Sequence, residues 1–271
     1  MLKQRVITAL WLAPLALVGF FGLNGHSFLA FISVIIALAA WEWARLAGFS
    51  AQLHRVIYAA VAVAALLLVN SSDALLMPVL YLAGVFWLLA IAMVISFPRS
   101  IAYWGGSLGK LLIGLVIIVP AGLGLQILKI LPQGNMLILS LMLLVWGADI
   151  GAYFFGRAFG KRKLAPLVSP GKSWAGLLGG LFTSICIASG LALYLDVAAS
   201  QFVAVLLGAV VIVLFSVVGD LTESMFKRQM GIKDSSQLLP GHGGVLDRID
   251  SLTAAAPIFA LLLLVTGWTL S

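Results

Sequence analysis

Charge is scarce in this chain: Asp, Glu, Lys and Arg make up only 9% of its 271 residues, against ~25% in an ordinary soluble domain. Hydrophobic residues make up 63%, more apolar surface than a soluble core can hide, so the expected solvent is a bilayer. Cysteine is almost absent. The single one, Cys186, lies in an apolar run, which excludes a disulfide framework and a thiolate metal site. Acids are outnumbered by bases, 9 to 16. In a soluble protein that excess would point to nucleic acid. In a membrane protein it is what holds loops on the cytoplasmic side, and no nucleic-acid partner is expected. The apolar run over 6–23 is closed by no small-x-small cleavage site, so it reads as a retained helix rather than a leader.

What is abundant is apolar runs of about 20 residues, enough to span a bilayer. They fall at 6–23, 28–48, 55–70, 74–97, 109–130, 136–156, 174–195, 201–224 and 251–270. The predicted fold is an all-α polytopic membrane bundle of about nine transmembrane helices with a cytoplasmic N-terminus. Under that topology 15 of the 16 Lys and Arg, Lys3 and Arg5 among them, are cytoplasmic, and only Lys129 lies opposite. Residues 1–130 supply five spans, read as scaffold and lipid-facing surface. Residues 131–271 supply four more and two polar cytoplasmic loops, 157–173 and 225–250, where chemistry is expected. The predicted location is the cytoplasmic (inner) membrane, multi-pass, with the site facing the cytoplasm.

Carboxylates at membrane depth are costly and tend to be paired or functional. Glu42 lies in Trp41-Glu42-Trp43-Ala44-Arg45, where it can pair with Arg45 at i, i+3 or serve near the site. Asp149 sits among small residues, Gly147-Ala148-Asp149-Ile150-Gly151-Ala152, where a helix or a ligand can come close; it suits metal or nucleotide contact, or a pair with a base in the next loop. Asp220, Glu223, Ser224 and Lys227 share one helical face. Asp247 and Asp250, one turn apart, stand where a helix N-terminus favours carboxylates. Asp220, Asp247 and Asp250 are the oxygen donors that Mg2+ takes when it is shared with substrate phosphates.

Two segments suit phosphate. Ser169-Pro170-Gly171-Lys172-Ser173 precedes the seventh span. It lacks the first glycine of a P-loop but shares its mechanism, an anion met by Lys, hydroxyl and a helix N-terminus. Upstream, Lys161-Arg162-Lys163 reads as a topology and anionic-lipid cluster. Gly241-His242-Gly243-Gly244 offers a backbone that can approach a ligand, with His242 placed for ligand contact or proton handling.

The run Ser224-Met225-Phe226-Lys227-Arg228, Lys233-Asp234, Leu239-Pro240-Gly241-His242-Gly243-Gly244, Asp247-Arg248-Ile249-Asp250 resembles the signature of the phosphatidate cytidylyltransferase (CDP-diacylglycerol synthase) family. The Ser-Pro-Gly-Lys-Ser loop and the segment around Asp149 are similar to that family too, so the strong likeness covers about residues 145–252. One position departs: Ala175 stands where the family often has Glu or Gln. The resemblance implies transfer of CMP from CTP to phosphatidate, giving CDP-diacylglycerol and pyrophosphate, in a homodimer. It implies a catalytic set of Asp220, Lys227, Arg228, His242, Asp247, Arg248 and Asp250. Nucleotide and phosphate contacts would come from Asp149, Ser169, Lys172, Ser173, Lys233, Asp234, Gly243 and Gly244, with Mg2+, as one ion or two, on Asp220, Asp247 and Asp250. Two other readings are a CTP-dependent lipid-alcohol kinase, which would move the γ-phosphate, and an ion transporter with Asp149, Asp220 and Glu223 along its path.

Overall fold

A computed structural model describes residues 2–267, with side chains from Val6 onward. The side chains of Lys3 and Arg5, and residues 268–270 of the last expected span, lie outside the described residues. The elements are α1 (Leu2–Leu17, continued by a π-helical turn Val18–Gly22), α2 (Gly25–Leu46), α3 (Gln52–Asn70), α4 (Asp73–Ile95), a short α5 (Ile101–Trp104) and α6 (Ser107–Ile130). There follow α7 (Gly134–Phe159), β1 (Lys163–Ala165), β2 (Ser169–Ser173), α8 (Trp174–Tyr194), α9 (Ala199–Gln229) and α10 (Leu246–Thr266). Eight of these helices are long and apolar enough to cross a membrane, and the first apolar helix, Val6–Gly22, is shorter. The chain is the nearly all-α polytopic bundle that its apolar runs predict.

Which helices sit inside follows from side-chain size. Helices α6 and α10 are buried almost all round, from Ile117 to Lys129 and from Ser251 to Ala260. Small residues let their backbones meet: a methyl group at Gly124 of α6 would lie 2.7 Å from the Ala256 carbonyl carbon of α10. In a bilayer such close van der Waals approach replaces the hydrophobic drive. Around this centre, α2 and α3 pack on α6, while α9 and α4 pack on α10. Helices α7 and α8 form the tightest pair, with Gly180 pressed 2.8 Å (as a methyl) from the Ala148 carbonyl oxygen. The outward faces carry exposed Leu82, Val85 and Leu89 on α4, Leu178 and Phe182 on α8 and Leu207 on α9. A soluble monomer would not leave so much apolar surface bare, and a bilayer covers it.

The two polar segments meet at one end of the bundle. The first, expected to be a loop, folds into a small antiparallel hairpin of β1 and β2, with Lys163 opposite Ser173 and Ala165 opposite Ser169. The second, residues 230–245, bends back so that α10 starts at Leu246, five residues before the apolar run itself begins.

Candidate active site

Helices α7, α9 and α10 and the strand β2 deliver the side chains at this end. Ser173 is the N-cap of α8: its Oγ accepts the Gly176 N–H at 3.1 Å. The preceding residue, Lys172, reaches across to α9, where its ammonium lies 2.7 Å from Asp220 Oδ2. Ser224, one turn on, donates to Asp220 Oδ1 at 3.2 Å. The hairpin is also tied to the end of α9, since Arg228 Nε donates to the Val168 carbonyl at 3.1 Å.

Asp149 of α7 faces the same place. It lies within the electrostatic reach of both Lys172 and Asp220. With Tyr153, Lys172, Ser173, Gly176 and Val217 it lines a cavity of about 210 Å³. Its lining combines the charged Asp149 and Lys172 with apolar Leu164, Leu177, Val213 and Val217.

On the other side of Asp220, α9 and α10 carry a second cluster. Lys227 lies 2.9 Å from Glu223 Oε1 and 2.7 Å from Asp247 Oδ1, and all three side chains are buried. Asp247 Oδ2 accepts three further bonds, from Gly244 N at 2.8 Å, Ser235 N at 2.9 Å and Ser235 Oγ at 2.9 Å. Asp247 thus closes its own loop. The loop's amides converge on its Oδ2 while Lys227 takes its Oδ1. The Asp250 carboxylate, one turn later, accepts only the Ser251 N–H among the described residues, at 2.7 Å, and feels the charge of Asp220. Glu223 Oε2 has no hydrogen-bond partner among the described residues.

Among the described residues no three His, Cys, Asp or Glu side chains converge as a ready-made metal cage. Within the expected trio, Asp220 is met by Lys172 and Ser224, Asp247 by Lys227 and its own loop, and Asp250 by the Ser251 amide. The donor set still fits a divalent cation. Asp149, Asp220, Glu223, Asp247 and Asp250 face only two ammonium groups, Lys172 and Lys227. Mg2+ asks for one or two carboxylates and takes the rest of its shell from water and phosphate.

The glycine-rich turn is built as its composition suggests. Gly241 and Gly243 have positive φ, 77° and 84°, which a side chain would strain. The turn closes through Leu239 N to the Gly243 carbonyl and His242 N to the Leu239 carbonyl, each at 2.8 Å. His242 Nδ1 is buried with no hydrogen-bond partner among the described residues. Lys233, Asp234 and Arg248 are exposed on the rim, and Ser169 is taken up by the hairpin pairing.

One expected pairing does not form. Glu42 of α2 does not bond Arg45, whose guanidinium instead donates to the Ser235 carbonyl at 3.2 Å. The fully buried Glu42 carboxylate points into the second loop, where it accepts hydrogen bonds from Ser235, Ser236, Val245 and Leu246. Its membrane-depth charge was the only sequence signal.

Comparison with known proteins agrees with this geometry. The model of the cytidylyltransferase family matches residues 3–266. A protein of Pseudomonas aeruginosa named phosphatidate cytidylyltransferase is 57% identical over 268 residues, covering 99% of each chain. One of the same name from Haemophilus influenzae is 42% identical, covering 96% of this chain and 98% of its own length. One from Brucella suis is 38% identical, covering 96% and 92%. With both loops of the signature folded around one acidic site and the match spanning nearly every residue, the chain belongs to the cytidylyltransferase family.

Proposed function

We propose that this chain transfers CMP from CTP to phosphatidate, forming CDP-diacylglycerol and releasing pyrophosphate, at a Mg2+-dependent site on the cytoplasmic side of a bacterial inner membrane. The observation that carries the reading is the meeting of the Lys172 loop with the acidic faces of α9 and α10, through the 2.7 Å Lys172–Asp220 contact. It occurs in a chain 57% identical to a protein named for this reaction.

A phosphate oxygen of phosphatidate attacks the α-phosphorus of CTP. The new P–O bond forms as the bond to the β-phosphate breaks, and pyrophosphate leaves with that electron pair. The attacking monoester is already anionic, so no strong base is needed and the protein's task is placement and charge compensation. The cavity lined by Asp149, Lys172 and Ser173 receives the lipid headgroup, its phosphate against Lys172. Lys172 exchanges Asp220 for phosphate, and Lys227, Arg228 and Arg248 offset the charge of the triphosphate. His242 offers its unpartnered Nδ1 to the nucleotide. Asp220, Asp247 and Asp250 would hold Mg2+. Mg2+ supplies charge neutralisation along the triphosphate and a template for the in-line geometry.

The test uses the purified chain in detergent with phosphatidate, Mg2+ and CTP labelled at the α- or the γ-phosphate. α-Label in the lipid and γ-label in pyrophosphate are expected. γ-Label in the lipid would make the protein a lipid kinase, and no label in either would overturn the reading. For orientation, a membrane-impermeant thiol reagent should reach Lys161→Cys, in a Cys186→Ala background, in inverted but not right-side-out vesicles.

A further inference from the structure

The N-terminal helices were expected to be scaffold, yet one of them carries a carboxylate into the signature loop. Glu42 is 0% exposed. Its Oε1 accepts from Ser236 Oγ at 2.5 Å and Val245 N at 3.0 Å, and its Oε2 from Leu246 N at 2.7 Å and Ser235 Oγ at 3.1 Å. These donors come from the two ends of one loop, residues 235–236 and 245–246. Burying a charge is unfavourable unless donors replace its water. Here two hydroxyls and two amides at the start of α10 do so, and the positive helix end adds to them. The fit leaves no slack: a methyl at Gly244 would lie 2.4 Å from Oε1. Ser235 Oγ also lies 2.9 Å from Asp247 Oδ2, so its single hydrogen is shared between the two carboxylates and one hydroxyl couples Glu42 to the Asp247–Lys227 pair. Two other N-terminal groups grip the same loop, Thr8 Oγ1 on the Pro240 carbonyl at 2.8 Å and Arg45 on the Ser235 carbonyl.

We infer that Glu42 is a positioning residue of the transfer reaction: it pins both ends of loop 235–246 to α2, and so fixes Asp247 and Lys227 against the nucleotide. This rests on the reading of the site given above. Glu42 touches neither substrate in this scheme and acts through Ser235 and the first turn of α10. A purely structural role would stabilise the whole bundle. A positioning role affects the loop and the turnover while the other helices stay as they are.

The test compares wild type, Glu42→Gln and Glu42→Asp in detergent, reading kcat and KM for CTP alongside hydrogen exchange along the chain. Glu42→Gln keeps the shape but turns an NH2 towards donors. It should lower kcat/KM about 100-fold, the scale of a small misplacement of reacting groups, and speed exchange in residues 231–248 while α3, α4 and α6 keep their protection. Glu42→Asp, which retains the charge, should fall between the two. Ser236→Ala covers the case where Glu42→Gln cannot be recovered folded. It removes one charge-assisted bond and should cost about 10-fold in kcat/KM. Wild-type kcat/KM in Glu42→Gln or Ser236→Ala overturns the inference, as does exchange that rises throughout the bundle. If wild type itself moves no α-label into lipid, the functional reading fails separately, and loop exchange alone then decides whether Glu42 pins the loop.

Discussion

The Lys227 ammonium lies 2.7 Å from Asp247 Oδ1 and so ties the end of α9 to the first turn of α10 across the loop between them. It also meets Glu223 at 2.9 Å, one turn back on its own helix. One buried cation thus serves two buried carboxylates, and removing it leaves both without a counter-charge. Breaking a buried pair from one side costs about 3–5 kcal/mol. Lys227→Met is therefore expected to lower the thermal unfolding temperature markedly and to abolish transfer. Lys227→Met with Glu223→Gln should recover much of the stability and none of the activity. Equal melting of the single variant and wild type would show that the pair carries no weight.

A second expectation concerns a glycine. A methyl at Gly244 would sit 2.1 Å from Ser235 Oγ and 2.4 Å from Glu42 Oε1. Gly244→Ala must push apart the two groups that hold the loop, so turnover should fall at least 100-fold, the scale of a misplaced catalytic group. Gly190→Ala on the exposed side of α8, where nothing lies within 4 Å, is the contrast. It should keep full activity and gain up to about 1 kcal/mol from helix propensity. Steady-state rates and melting curves of the two variants check both halves.

How far the sequence revealed this arrangement depended on the range of the contacts. Eight helices long and apolar enough to span were readable because each is an apolar run with few charges. The shared face of Asp220, Glu223 and Lys227 followed from helical spacing, and the Lys227–Glu223 pair is its i, i+4 contact. The Lys172–Asp220 pair was not readable as a pair, although both residues stood out, because hairpin and helix meet only in three dimensions. The partners of Glu42 were unreadable for the same reason. Arg45 was the only partner at helical spacing, and its real donors lie 193 to 204 residues away. The hairpin of β1 and β2 carried no alternating pattern to mark it, since its second strand is Ser-Pro-Gly-Lys-Ser.

The cap of α8 gives a third expectation. Ser173 Oγ holds the Gly176 amide, and Lys172 is the residue before it. Ser173→Ala should cost about 1 kcal/mol and loosen the direction in which Lys172 points. The expected result is a raised KM for phosphatidate with a small change in kcat, measured in mixed micelles of varied phosphatidate fraction. Ser173→Asp, another good cap, should keep the helix start while its negative charge repels the lipid phosphate. Melting like wild type with a poorer KM would separate the two effects.

Asp220 gives the last expectation and bears on the metal. Its side chain is 26% exposed and that of its partner Lys172 24%. A pair so open to water contributes little to stability, about 0–1 kcal/mol. Asp220→Asn should therefore melt close to wild type, unlike Lys227→Met. Its activity should nevertheless fall by 100-fold or more, because an amide is a poor ligand for Mg2+, which prefers charged oxygen donors. Chelation should stop wild-type transfer, and returning Mg2+ should restore it. In the presence of CTP, Mg2+ should raise the wild-type melting temperature by mass action, and Asp220→Asn should lose most of that rise. A variant that still binds CTP, melts normally and responds to Mg2+ as wild type does would remove Asp220 from the metal site. Asp247 and Asp250 would then remain, and the same pair of measurements on Asp250→Asn would decide whether the ion is held on α10 alone.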